Sequence, residues 1–430
     1  MSALNQLLER RPAHHIQWGL DRTLAMLRSL EDPHLGIDAV HVAGTNGKGS
    51  TAALLESVLR AGGRVTGLYT SPHLSEFAER IRIDGEPADR RLLERCAEDV
   101  LVLAEREDAS FFESATVLAF LAFRRARCDA MVVEVGLGGR LDATNVLRPR
   151  VSAITSLDLD HADYLGDTVE LVAAEKAGIL KAGVPTVLGR MTPGPLAVVR
   201  DRARELRAPL DVYGTDFEAR EVSTALDGTR FSYSSSGWAD GVRVNIPLIG
   251  PQQARNAAIA IRCLERWDTG TTRTGLVEGL AAVRWAGRFE VFEASRGCWV
   301  LDIAHNPEAT RNLAALIEQL PLPRPLVLLL SILGDKPWRE MLGPLLEVVS
   351  ASVFTIAPSS PGPRRWRLDD ALQAVQAAVV EVEPDFGRAM ARARELAGDG
   401  TVLVTGSAHT VGDARSMLFD EWNGRELDEI

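Results

Sequence analysis

Short apolar runs punctuate the chain. They fall at Ala39–Ala43, Met131–Val135, Val151–Thr155, Pro185–Leu188, Trp299–Ile303, Leu326–Ile332, Val353–Ala357 and Thr401–Thr405. Val, Ile and Leu dominate them without strict polar alternation, the pattern of strands covered on both faces. Between them lie helical stretches, among them Ala52–Arg60, Arg90–Ala104, Glu113–Arg125, Val169–Leu180, Gln252–Arg266 and Pro337–Val349. Alternating strands and helices predict an α/β fold with mostly parallel sheets. Residues 210–247 break the rhythm: short alternating runs such as Arg230–Tyr233 and Val242–Ile246 predict an antiparallel excursion. A fresh strand–helix series starts near Trp299, so the reading divides the chain into residues 1–288, a linker at 289–298 and a smaller domain at 299–430.

One strand runs straight into a glycine-rich turn. Residues 41–51 read His-Val-Ala-Gly-Thr-Asn-Gly-Lys-Gly-Ser-Thr. Gly44, Gly47 and Gly49 let the backbone turn its N–H groups inward around phosphate oxygens, with Thr45 and Asn46 between them. The helix that follows adds its positive N-terminal end. Lys48 can reach the β- and γ-phosphates, and Ser50 or Thr51 can offer a hydroxyl to Mg²⁺. The spacing departs from the common phosphate loop: Val42 stands at the first glycine position and Gly49 directly follows the lysine.

Composition narrows the class. With 430 residues, 46% hydrophobic and 25% charged, the chain has the usual globular mixture and can bury a large core without disulfides. A net charge of −11 argues against a nucleic-acid binder, whose footprint is basic. Four cysteines, none in a C-x-x-C pair, read as buried small hydrophobes in a reducing compartment. No apolar run approaches membrane-spanning length, so the expectation is a cytoplasmic protein with no membrane or nucleic-acid partner.

The Gly44–Thr51 loop resembles that of the Mur-ligase superfamily, and its Thr-Asn-Gly-Lys-Gly-Ser form resembles the folate branch: folylpolyglutamate synthases, often bifunctional with dihydrofolate synthase. Further blocks match in order: Tyr69–Leu74, Glu79–Gly85, Phe112–Thr116, Glu134–Asn145, Asp158–His161, Glu175–Gly178, Trp285–Arg288, Asp302–Pro307 and Gly406–Gly412. Together they reach across nearly the whole chain. The resemblance implies a P-loop-containing mononucleotide-binding N-terminal domain and a smaller Rossmann-like α/β C-terminal domain, acting as a monomer.

It also implies roles. Taken alone, Glu134 fits a structural ion pair, His161 a cap or core histidine, and Lys176 a solvated helical lysine. The resemblance makes Glu134 and His161 Mg²⁺ ligands with Ser71, makes Lys176 a carbamylated lysine, and gives His161 and Lys176 catalytic roles beside Lys48 and Arg288. Asp302, His305 and Asn306 become nucleotide ligands; without it they read as an ordinary helix-capping cluster. Arg288 reaches the ATP phosphates across the cleft. Gln253 and Asn256, three apart on one helix, face the adenine, although Gly-Pro-Gln-Gln stands where the family usually shows Gly-x-His-Gln. Phe112, Thr116, Asp142 and Ala143 hold the pterin end of the acid; Ser407 and His409 hold glutamate or the γ-phosphate region. Lys336 is a further cleft candidate.

These parts imply an ATP-dependent amide ligase that takes ATP, L-glutamate and dihydropteroate or folates, with an acyl phosphate between. A peptidoglycan ligase would usually carry an extra N-terminal substrate domain where only 40 residues precede this loop. A kinase would not need the Asp302–Pro307 domain. A catalytically inactive homologue would not need the full set of charged residues.

Overall fold

The computed structural model describes residues 2–10, 19–160, 162–238, 241–267, 270–293, 296–375 and 380–421. The expected metal ligand and catalytic residue His161 lies outside them. Three sheets organise the chain. The first holds β1 (Asp38–Ala43), β2 (Thr66–Tyr69), β3 (Ile81–Ile83), β4 (Glu86–Pro87), β5 (Ala130–Glu134), β6 (Val151–Ile154), β7 (Thr186–Leu188) and β8 (Leu210–Val212). Their order is β4-β3-β2-β5-β1-β6-β7-β8, parallel from β2 to β8, with β3 and β4 antiparallel at one edge. Helices cover both faces, and the central strands β1 and β5 are buried almost throughout, which explains their unbroken apolar runs.

The predicted antiparallel excursion is a three-stranded sheet of β9 (Phe217–Ala225), β10 (Gly228–Ser235) and β11 (Val242–Ile246). It packs against the helix Pro251–Trp267, which in turn covers the helix Lys48–Ala61 behind the phosphate loop. The helix Arg273–Ala281 touches that same helix backbone to backbone. A Cβ on Gly279 would stand 2.6 Å from Val58 Cα, and the Ser57 hydroxyl donates to the Gly279 carbonyl at 2.6 Å.

The smaller domain is a six-stranded sheet in the order β12-β13-β17-β14-β15-β16. Its strands are β12 (Glu290–Glu293), β13 (Cys298–Leu301), β14 (Leu326–Leu330), β15 (Ala351–Phe354), β16 (Val380–Val382) and β17 (Thr401–Thr405). All pair in parallel except β12, which runs antiparallel to β13. The stretch 289–298 expected as a linker therefore contains an edge strand of the six-stranded sheet: Val291 and Phe292 find a core there. All four cysteines are buried and free, and no helix among the described residues is long and apolar enough to cross a membrane.

Candidate active site

Both parallel sheets turn the carboxyl ends of their strands toward one cleft, where α/β sheets bind ligands. A cavity of about 700 Å³ lies there, lined by the loops after β1, β5 and β6, the start of the helix Phe111–Arg125, and residues 288 and 302–316 of the smaller domain.

The phosphate loop is held from below. Thr45 N–H donates to the Ser156 carbonyl at 2.9 Å, Asn46 N–H to Ser156 Oγ at 2.9 Å, and Thr155 Oγ1 to the Asn46 carbonyl at 2.6 Å. Gly47 caps the helix at φ 85°, a left-handed conformation suited to glycine, and a Cβ there would meet Asn256 Oδ1 at 2.4 Å. Gly44 to Ser50 line the cavity. Thr51 does not: it is fully buried and its hydroxyl has no hydrogen-bond partner. Of the two hydroxyl residues, Ser50 is the one that lines the cavity.

Lys48 donates to the Thr45 carbonyl at 3.2 Å and stands 3.9 Å from Glu134. Glu134, at the end of β5, accepts from Ser71 N–H at 3.1 Å. Burial raises its pKa, opposed by Lys48, the Ser71 N–H, Arg288 and Arg80. Lys176 is buried and donates to the Gly44 carbonyl at 3.0 Å. Burial, with Lys48 nearby, pushes its pKa down to about 7, so a good fraction of the amine is neutral near physiological pH. It is not a solvated helical lysine.

Across the cleft, Asp302 accepts from the N–H groups of Phe289 and Ala304, both at 2.9 Å. Arg288 and Asp302 are both half-buried, and each favours the other's charged form. His305 Nδ1 donates to the Ile303 carbonyl at 2.9 Å, since a carbonyl only accepts. Its Nε2 faces Asp160 at 3.9 Å, and Asp160 forms a 2.6 Å ion pair with Lys336. Burial, reinforced by Lys336, pushes the pKa of His305 down to about 4. Gln253 accepts from Asn256 Nδ2 at 3.0 Å, and both line the cavity.

A second compartment opens beside Glu134. Ser110 and Glu113 form a reciprocal capping box, with Ser110 N–H donating to Glu113 at 2.8 Å. The box fixes Phe111 and Phe112 at the cavity wall. Phe112 lies flat against Gly136, where a Cβ would come within 2.2 Å of its ring. Leu137, Leu141, Ala143 and Leu165 complete a slot. Asp142 lines it as well, but its carboxylate is largely engaged: it accepts from Thr144 N–H at 3.0 Å, from Thr144 Oγ1 at 2.5 Å and from Leu137 N–H at 2.9 Å. Thr144 gives its one proton to Asp142, so it accepts from Nε2 of the buried His41 at 2.8 Å. Asp142 thus pins the slot-forming loop.

Several expected ligands sit elsewhere. Thr116 is one helical turn down, donating to the Phe112 carbonyl at 2.9 Å, outside the cavity wall. Asn306 caps the helix Pro307–Gln319 through Ala309 N–H and donates to Asn46 Oδ1 at 2.9 Å, bridging the domains. Ser407 accepts from Thr410 N–H at 3.0 Å at the start of the helix Ala408–Glu421. His409 contacts Ser359 at 3.1 Å. Asn306, Ser407 and His409 do not line the cavity. Thr155, Ser156, Asp160 and Arg80 also line the cavity; Asp160 and Arg80 lie in the matched blocks Asp158–His161 and Glu79–Gly85, but no site role is read for any of the four from the sequence.

Comparison with known proteins agrees with this arrangement. Residues 42–264 match the Mur ligase middle domain, and residues 287–408 the glutamate ligase domain of Mur ligases. A probable bifunctional folylpolyglutamate synthase/dihydropteroate synthase from Haloferax volcanii is 37% identical over 96% of this chain. The chain spans 50% of that relative's length. A dihydrofolate synthase/folylpolyglutamate synthase from Bacillus subtilis is 32% identical, covering 93% of this chain and 95% of its own. The structure of Mycobacterium tuberculosis folylpolyglutamate synthase complexed with ADP superposes with a TM-score of 0.88 at 30% identity, covering 99% of both chains. The chain belongs to the Mur ligase family and, within it, to the folylpolyglutamate synthase/dihydrofolate synthase branch.

Proposed function

We propose that this chain is an ATP-dependent ligase that joins L-glutamate to the carboxylate of dihydropteroate, of a reduced folate, or of both. One observation carries the reading: a phosphate loop, a facing Arg288–Asp302 pair and an aromatic slot all open into one cavity. The name of the Bacillus relative and the ADP in the mycobacterial complex support it.

Amide formation from a free carboxylate is uphill in water, so the carboxylate is first activated. A carboxylate oxygen attacks the γ-phosphorus, the bond to ADP breaks, and an acyl phosphate forms. The amine of glutamate then attacks the acyl carbon, loses a proton, and phosphate departs. The loop N–H groups and Lys48 hold the phosphates, and Arg288 offsets charge as the phosphoryl group moves. Phe111, Phe112 and the Gly136–Ala143 backbone form a slot whose shape suits a flat heteroaromatic ring. Closure of the two domains, bridged by Asn46 and Asn306, keeps water from the acyl phosphate. Asp302, His305 and Asn256 contact the nucleotide in this reading, and His409 lies near the entry of the amino acid.

Two groups that the family implies fit the residues present. Glu134, Ser50 and Ser71 offer hard oxygen donors in one cleft, the set that suits Mg²⁺ completed by phosphate oxygens and water; bound there, the ion would neutralise phosphate charge. His161 would join that set. Lys176, with its neutral amine, can add CO₂ and release a proton to give a carbamate. We also read the protein as a cytoplasmic monomer, since one chain supplies both walls of the cleft.

The test is ADP release by the purified chain with ATP, Mg²⁺ and L-glutamate, adding dihydropteroate or tetrahydrofolate separately, with mass spectrometry of the products. Release that needs both acid and glutamate, with a product heavier by one glutamyl unit, supports the reading and names the acid. ATP turnover indifferent to both would contradict it.

A further inference from the structure

We propose that Arg80 receives the carboxylate of the acid substrate that is phosphorylated in the first step, an inference that rests on the ligase reading above. Arg80 ends the 3-10 turn Phe77–Arg80 just before β3 and lines the shared cavity. Its direct contacts are with neutral rings. Its Nε donates to His73 Nδ1 at 2.7 Å, and its guanidinium lies 5.4 Å from the centre of the Phe111 ring. An accepting Nδ1 carries no proton, so the His73 ring is neutral in this contact. Because Nδ1 accepts, the proton of the neutral ring sits on Nε2.

The carboxylates close enough to favour the charge on Arg80 are Glu134 and Glu79, and both have other partners. Glu79 accepts from the N–H groups of Leu74, Ser75 and Glu76 at 2.8, 3.0 and 2.9 Å. Glu134 accepts from Ser71 and faces Lys48. Among the described residues, no carboxylate lies within ion-pair distance of Arg80. Two other arginines near the site are paired: Arg140 places two nitrogens on one Glu175 oxygen, and Arg364 pairs with Asp335. Arg80 is half-buried, and a guanidinium withdrawn from water is costly unless an anion pairs with it. Its planar fork matches a carboxylate with two parallel hydrogen bonds.

Position selects which anion. Arg80 is close to Phe111 of the slot and within electrostatic reach of Glu134, which faces Lys48. An acid whose ring lies in the slot presents its carboxylate between them. Phosphates already have the loop N–H groups, Lys48 and Arg288. The first step also brings an anionic carboxylate onto an anionic phosphate. A guanidinium on the carboxylate offsets that repulsion and holds the nucleophile in place, while the γ-phosphorus–oxygen bond to ADP breaks without any proton transfer.

The test uses the intact chain with hydroxylamine in place of glutamate, so that acyl phosphate is trapped as a hydroxamate before any amino acid is needed. Hydroxamate formation by the unaltered protein with dihydropteroate or tetrahydrofolate establishes the ligase reading; if neither acid gives any, that reading falls, independently of Arg80. Given that activity, Arg80→Gln should cut hydroxamate formation and raise the KM for the acid by at least about tenfold, the scale of a lost hydrogen bond to a charged group. The KM values for ATP and glutamate, and the rise in Tm on adding ADP, should stay near those of the unaltered protein. Arg80→Lys should recover part of the loss and carries the test if the glutamine variant does not fold. Unchanged hydroxamate formation, or a raised KM for glutamate alone, would overturn the proposal.

Discussion

Two buried carboxylates, Glu134 and Asp211, sit in the same domain under opposite conditions. Asp211, on β8, is gripped by Arg262 at 2.7 Å and by Arg266 at 2.5 and 2.6 Å. Burial alone would raise its pKa, but the two arginines outweigh burial and hold it below the ordinary carboxylate range. Glu134 has one backbone donor and a lysine at 3.9 Å, and burial wins. The Asp211 cluster is complete within the protein. It ties the helix Pro251–Trp267 to the sheet, and Glu265 extends it to Tyr233 and Ser235 of β10 at 2.5 and 2.7 Å. The cleft groups are under-paired: Glu134 and Lys176 are buried, Arg80 and Arg288 half-buried. Buried charges that satisfy one another hold a fold together; buried charges left short of partners are poised for a ligand.

The largest effects should come from the under-paired side. Lys48→Met and Glu134→Gln should each lower ADP formation by at least about 100-fold, the usual scale for a lost group that stabilises transition-state charge. Neither should lower Tm. Glu134 has a folded-state pKa above its unfolded value, so its contribution to stability is present in acid and lost as pH rises through the folded pKa. At neutral pH, Glu134→Gln removes that strain, and thermal denaturation should show an equal or higher Tm.

Asp211→Asn should do the reverse. Breaking one side of a buried ion cluster costs about 3–5 kcal/mol, visible as a lower denaturation midpoint, while turnover per folded molecule holds. The depressed folded pKa gives Asp211 a stabilising contribution above the unfolded carboxylate value that fades as pH falls through the folded pKa. The margin between the unaltered protein and the variant should therefore be constant above about pH 4, where the unfolded carboxylate titrates, and shrink below it; a margin that does not shrink in acid would break the comparison.

Lys176 tests the same contrast more gently. With a pKa of about 7, its amine becomes able to take up CO₂ as pH rises from 6 to 8. Carbon-13 NMR with labelled bicarbonate should show a carbamate signal that grows over that range and is missing in Lys176→Ala. The smallest effect belongs to the domain bridge. Asn46→Ala removes hydrogen bonds to Asn306 and Glu308 and should raise the KM for ATP by about fivefold, the scale of one neutral hydrogen bond.

Much of this contrast was legible in the chain, and the exceptions have physical causes. The central strands β1, β5 and β17 show as apolar runs because helices cover both faces. β2 does not, because Gly67 interrupts it; the glycine is there since a Cβ would meet the Phe123 ring at 2.6 Å. β12 is four residues with charged ends, Glu290–Glu293, and reads as a linker until β13 pairs with it. In the site, glycine spacing located the phosphate loop. Asn306 and Ser407 proved harder to read, because the side chains that cap helices are the same types that bind ligands. Thr116 illustrates helical periodicity: it lies four residues beyond Phe112 and one turn deeper. Arg80 could be recognised only once the fold had put it in a cleft with no carboxylate partner.

The account's central claim is that this cleft activates a carboxylate by phosphorylation before the amine attacks. The most direct measurement supplies the acid with both carboxylate oxygens labelled as ¹⁸O, together with ATP and L-glutamate, and reads the released phosphate by mass spectrometry. An acyl phosphate requires one labelled oxygen to leave with each phosphate, and that is the predicted result. Phosphate free of label, alongside a glutamylated product, would contradict it.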